Sequence, residues 1–167
     1  RAFLHHYVNA PTCGASRYTL LTGTYGSSNN YALFERAKQL KLKPKTISPS
    51  MPAWFRGNGY KTIAIGKISH HPGGLGGSEW NNPAIIEMPD SWDKNQQPLG
   101  QWQHPRGVMH ALAQGNIRDQ SSKHDLYEAF DGDDKSYPDG WITETALSEL
   151  ESLNEAEQPF FLAVGLI

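Results

Sequence analysis

Two short apolar runs set the fold class of this chain. Thr62-Ile63-Ala64-Ile65 and Phe160-Phe161-Leu162-Ala163-Val164 have the length of strands buried on both faces rather than of core helices. Each follows a stretch with helical character. Ser50 is placed to cap a helix that carries Pro52 in its first turn and ends at Gly57 or Gly59. Asp139 is placed to cap another, in which Ile142, Ala146, Leu150 and Leu153 share one face and which Pro159 stops. Strands alternating with helices in this way specify an α/β fold, a mostly parallel sheet flanked by helices. A strand that ends at Gly66 and Lys67 delivers Lys67 to the edge of the sheet where such folds place their ligands.

The rest of the chain is less regular. Leu33, Phe34, Ala37 and Leu40 recur at spacings of three and four and predict an amphipathic helix over 31–40. Ser16 to Thr22 holds no breaker and ends at Gly23, which predicts a short helix with Cys13 at its N-terminal approach. Ala2 to Val8 reads as a short strand. The tract from His71 to Gly107 is rich in Gly, Pro, Asn and Gln and reads as an irregular excursion. Its Trp80 and Trp92, with Trp102, are candidates for sugar-stacking faces or for packing. With 16 Gly and 11 Pro in 167 residues, long loops between short elements are expected.

Several function classes fall away on composition. The formal charge of −2 leaves no clustered basic footprint for nucleic acid. No apolar run approaches the ~18 residues of a membrane span. One cysteine, Cys13, forms neither an intrachain disulfide nor a multi-cysteine zinc site. A lone Cys is either an inert buried residue or a reactive centre. Asp131, Asp133 and Asp134 are an acidic cluster without the calcium-loop spacing, and read as a solvated turn. The chain opens at Arg1 without a leader-like stretch, so residues 1–167 read as part of something longer.

The most specific segment is 11–23, Pro-Thr-Cys-Gly-Ala-Ser-Arg-Tyr-Thr-Leu-Leu-Thr-Gly. It resembles the signature of formylglycine-dependent sulfatases, Cys-x-Pro-Ser-Arg with a Leu-x-Thr-Gly-like tail. Cys13, Ser16, Arg17, Leu20, Leu21, Thr22 and Gly23 match at the right spacing. Ala15 stands where the family usually has Pro, a known variant, and Thr24 where Arg is common. A second stretch, Asn58 to Gly73, resembles the strand and loop that carry the family's catalytic Lys and His, in the form seen in its iduronate-2-sulfatase branch. Lys67 aligns directly. Of the doubled histidines, spacing from Lys67 favours His70 and adjacency to Pro72 favours His71. A third match, Tyr137 to Gly165, resembles the same branch shortly before another active-site His.

The resemblance implies an alkaline-phosphatase-like sulfatase core, here a partial N-terminal catalytic domain over 1–167 that lacks segments before and after. It implies hydrolysis of a sulfate ester, of a sulfated sugar or polysaccharide, with Cys13 converted to formylglycine by a maturation enzyme. It implies that Arg17 holds the modified side chain, that Lys67 contacts sulfate, that His70 assists proton transfer and that His71 is a further substrate contact. It implies a calcium ion bound by the formylglycine at position 13 and by ligands outside this chain, and a periplasmic, secreted or lysosomal location. A hydrated aldehyde suits this task because one hydroxyl attacks sulfur and the other later expels sulfate, a covalent mechanism with its own release step. Converging positive charge is needed because both the hydrate and the sulfate are anionic. The competing readings are a phosphate or phosphonate hydrolase of the same superfamily and a non-catalytic scaffold. A thiol phosphatase is disfavoured, since its Cys-x5-Arg spacing would put Arg where Thr19 stands.

Overall fold

A computed structural model describes residues 2–25, 28–44, 46–76, 80–118 and 127–167. Its centre is a three-stranded parallel sheet in the order β4-β1-β5, formed by β1 (Lys61–Gly66), β4 (Lys94–Gln96) and β5 (Phe160–Gly165). β1 lies in the middle, with Ile63 opposite Lys94 on one side and Leu162 on the other. Helices cover both faces. Ile63 and Ile65 point to α5 (Pro138–Asn154), where they bury Ile142 and Leu153, with Ala146 and Leu162 packed alongside. On the opposite face Phe55 of α3 (Met51–Gly57) stacks on Phe161 at 4.7 Å, and Trp92 lies against the same ring at 5.9 Å. The mostly parallel sheet flanked by helices is therefore the architecture that the two apolar runs specify.

The local signals explain most of the elements. Ser50 caps α3, accepting a hydrogen bond from the Ala53 amide, with Pro52 in the first turn. The helix expected near 31–40 is α2 (Ala32–Leu42), with Leu33 fully buried. The helix after Cys13 is α1 (Cys13–Thr22), closed by Gly23 in the left-handed conformation, as its sequence implies.

Other expectations are corrected. Residues 2–8 form no strand; Phe3, Leu4 and Tyr7 are exposed and gain no sheet partner. α1 begins three residues earlier than Ser16, because its cap comes from afar: Thr12 makes no side-chain cap bond, and Asn30 Oδ1 accepts from the Gly14 amide at 2.8 Å instead. α5 starts at Pro138 with Tyr137 as the flanking residue, so Asp139 sits inside the first turn and accepts from the Ile167 amide. The tract 71–107 is not wholly irregular. It contains a hairpin of β2 (Leu75–Gly76) and β3 (Asn82–Ile86), the helix α4 (Pro105–Met109) and β4. β5, expected to be buried on both faces, is only partly covered, because it lies at a sheet edge.

The carboxyl ends of β1 and β5 leave no room for a side chain between them. A Cβ on Gly66 would stand 2.2 Å from the Gly165 carbonyl, and one on Gly165 would stand 2.1 Å from the Lys67 carbonyl. The Lys67 amide donates to the Gly165 carbonyl at 2.9 Å. Gly66 also has φ +78, so the turn that redirects the chain after β1 demands glycine twice over. That turn places Lys67.

Candidate functional site

The site is assembled where the N-terminus of α1 meets the loop after β1. Cys13, the first residue of α1, is exposed. Lys67, the first residue after β1, is 5% exposed, and its Nζ lies 3.8 Å from Cys13 Sγ across 54 residues of sequence. Arg17, one turn along α1, donates from Nη1 to the carbonyls of Lys67 at 2.6 Å and Ile68 at 3.0 Å. The helix carrying Cys13 is thereby fastened to the strand end carrying Lys67. Arg17 is a bracket between two elements as well as a charge near Cys13, a structural duty that spacing alone does not reveal.

Burial dominates the electrostatics. Desolvation pushes Lys67 below the ordinary lysine range, opposed first by Cys13, while the neighbouring Arg17 pushes it further down. Arg17 is lowered by burial too, with Cys13 and then Glu87 acting to raise it. His70 is lowered by burial and then by His71, with Glu87 opposing and Lys67 and Arg17 adding to the depression. Four of the residues singled out in the sequence, Cys13, Arg17, Lys67 and His70, therefore share one neighbourhood.

The two histidines differ in kind. His70 is half-buried, and its Nδ1 has no hydrogen-bond partner among the described residues. His71 is buried, with Phe34, His70 and Trp80 around its ring at centroid distances of 5.1, 4.6 and 5.0 Å. Glu87 Oε2 accepts from the His71 amide at 2.8 Å. Glu87 Oε1 stands 3.2 Å from His71 Nδ1, at ion-pair distance but out of line for a hydrogen bond. Glu87 is fully buried and was not singled out by sequence reasoning, for it follows Ile85 and Ile86 in a tract with no motif to mark it.

Ala15 is buried in the first turn of α1, where the backbone N–H has no intrahelical acceptor. Ala and Pro both fit such a position, so the departure at Ala15 leaves the helix intact. Trp102 is fully buried, with Nε1 donating to the Leu112 and Asn116 carbonyls, and Trp92 packs on Phe161; both serve packing. Trp80 alone of the three stands beside the site, against His71 and 5.7 Å beneath Arg106.

The groups gathered around Cys13 suit an anion. They do not by themselves suit a hard cation, which takes about six to eight oxygen ligands. The side chains facing Cys13 Sγ are cationic, and among the described residues no group of three or more His, Cys, Asp or Glu converges. Asp131, Asp133 and Asp134 are exposed and lie apart, with Asp133 and Asp134 on the rim of a depression of about 890 Å³ against α5 that includes none of the site residues. An open groove beside Cys13 is lined by Val8, Pro11, Ser16, Arg17 and Leu20.

A family model described as Sulfatase matches residues 2–167. Human iduronate 2-sulfatase is 25% identical over 169 residues, covering 98% of this chain and 28% of the human protein. The mouse iduronate 2-sulfatase is 26% identical over 168 residues, covering 98% of this chain and 27% of that protein. The chain thus spans little more than a quarter of the length of these relatives. Among the described residues, no helix is long and apolar enough to cross a membrane.

Proposed function

Because the chain belongs to the sulfatase family, we propose that the whole protein hydrolyses sulfate esters, with Cys13 as the precursor of a formylglycine nucleophile. The observation that carries the reading is the convergence on Cys13 of a buried lysine from the far side of the fold, Lys67 Nζ at 3.8 Å from Sγ. The thiol occupies the place of the oxidised, hydrated side chain, which supplies one hydroxyl to attack sulfur and another to release sulfate. Lys67 and Arg17 provide fixed positive charge for an anionic ester in a partly desolvated corner, where such charge acts more strongly than in water. Lys67 binds sulfate oxygens, Arg17 holds the nucleophile's helix against the Lys67 loop, and His70, kept neutral by its surroundings, moves a proton at the hydroxyl or the leaving oxygen. His71 supports the loop.

Exposure of Cys13 at the edge of an open groove suits access by a maturation enzyme. The oxygen ligands of a calcium ion, on this reading, come from parts of the protein outside 1–167. The two relatives are named for sulfate removal from iduronate, so a sulfated sugar is the proposed substrate class, handled in a lysosomal, secreted or periplasmic setting. The test compares aryl sulfate and aryl phosphate hydrolysis by the full-length protein and its Cys13→Ala variant. Sulfate turnover that disappears in Cys13→Ala supports the proposal; turnover of phosphate alone, or turnover indifferent to Cys13, overturns it.

A further inference from the structure

Glu87 is a fully buried acidic group near the site that the mechanism above leaves unused. A fully buried carboxylate is costly unless it is held by donors. Both oxygens of Glu87 face the same residue: Oε2 accepts from the His71 main chain and Oε1 faces Nδ1 of its ring. Pro72 restricts His71 further, since the residue before proline is driven to extended backbone, here φ −90, ψ 135. Main chain, ring and packing are thus all fixed, with Phe34 of α2 and Trp80 closing around the imidazole. His71 is an anchor with no freedom to follow a substrate.

The anchor sits one residue from His70 and four from Lys67. Glu87 itself is fixed, its amide donating to the Gly74 carbonyl at 3.0 Å and the next side chain, Met88, buried against Leu21 of α1 and Leu33 of α2. It also stands where one carboxylate acts on Arg17, Lys67 and His70 together. We propose that Glu87 is a positioning residue of this site: it anchors the loop through His71 and adds negative charge to the corner that holds Arg17, Lys67 and His70. The inference rests on the sulfatase reading only for what the site does; the geometry it describes is independent of the reaction.

The test is nitrogen-15 NMR of histidine-labelled full-length protein, with His70 and His71 assigned by His70→Gln and His71→Gln. In the wild type, the negative charge of a carboxylate oxygen 3.2 Å from Nδ1, though not aligned for a hydrogen bond, favours the His71 proton on Nδ1. Glu87→Gln keeps an oxygen for the His71 amide but turns an NH2 group toward Nδ1, so the proton moves to Nε2. The groups facing His70 are His71, Lys67, Arg17 and Glu87; with the last neutralised, His70 titrates at lower pH than in the wild type. The limb of the kcat profile that follows His70 moves to lower pH with it, and kcat falls about 10–100-fold, the scale seen when a carboxylate that orients a metal-ligating histidine is removed, with less change in KM. A wild-type His71 protonated on Nε2 overturns the inference even if Glu87→Gln does not fold. So does a Glu87→Gln protein in which the His70 titration stays put. A protein that shows the expected tautomers but hydrolyses no sulfate ester leaves this inference standing and removes the sulfatase reading instead.

Discussion

Replacing Arg17 with Met removes the fastening between α1 and the strand end while keeping an aliphatic stem of similar reach. Two charge-assisted hydrogen bonds go with it, to the Lys67 and Ile68 carbonyls at 2.6 and 3.0 Å. Bonds of that kind contribute roughly 1.5–3 kcal/mol each, and simple addition gives about 3–6 kcal/mol. The burial that depresses Arg17 is a penalty the Met escapes, and water reaches part of the site, so the expected net loss is nearer 2–4 kcal/mol. Urea unfolding of the full-length protein, followed by a probe in this domain, reads the loss as a lower midpoint at unchanged slope. Arg17→Lys keeps the charge, but its shorter side chain does not bring a donor to where Nη1 bonds both carbonyls, and it should recover well under half of the loss. A midpoint for Arg17→Met within ~0.5 kcal/mol of wild type would refute the bracket role, because two exposed carbonyls would then be satisfied as well by water.

Lys67→Met should separate activity from stability in the opposite sense. It removes a buried ammonium with no carboxylate at ion-pair distance among the described residues, so stability is unchanged or raised while kcat/KM for an aryl sulfate falls by about 10²–10³; a clear stability loss with activity retained contradicts the assignment. His70→Gln should lower turnover with little change in stability, whereas His71→Ala should unfold more readily by about 2–4 kcal/mol, since it removes the ring that Glu87 Oε1 faces and opens a cavity between Phe34 and Trp80 while leaving the main-chain bond to Oε2 in place; thermal melts with parallel assays distinguish the two. Because His70 is depressed in the fold, the unfolded chain binds more protons between the folded and ordinary histidine values, so stability rises with pH across that window, and His70→Gln should flatten the slope. Gly66→Ala should lose 3 kcal/mol or more (about the scale of a backbone clash with strain), as its Cβ meets the Gly165 carbonyl; near-normal stability would mean that the β1–β5 approach relaxes easily.

What the sequence makes legible follows from where the physics is local. Ser50 and Pro52 write the start of α3 in side chains that act on their own helix, and the 160–164 run can only be a strand. The start of α1 is illegible because its cap, Asn30, lies 16 residues from the amide it serves. β4 is illegible for a related reason. Lys94, Asn95 and Gln96 have no apolar signature, and they form a strand because Asp93 binds the Thr62 amide and hydroxyl on one side while Glu149 of α5 holds both Lys94 and Gln96 on the other. The strand expected at 2–8 fails in the opposite way, with suitable residues and no neighbouring edge among the described residues.

The same division holds in the site. Cys13, Arg17, Lys67 and His70 were found by motif and spacing, and the fold brings them together. Spacing from Lys67 favoured His70 and adjacency to Pro72 favoured His71; what sets the two apart in the fold, Glu87 and the aromatic walls around His71, comes largely from residues distant in sequence.

The proposed chemistry depends on Cys13 becoming an aldehyde. Peptide mass spectrometry of the full-length protein, produced in a host with the maturation machinery and checked with an aldehyde-reactive hydrazide, tests it directly. The peptide spanning Cys13 is expected chiefly at the mass of formylglycine, with hydrazide labelling that vanishes in Cys13→Ala. A peptide found wholly as the unmodified thiol would contradict it and leave the Arg17–Lys67 corner an anion-binding scaffold without its nucleophile.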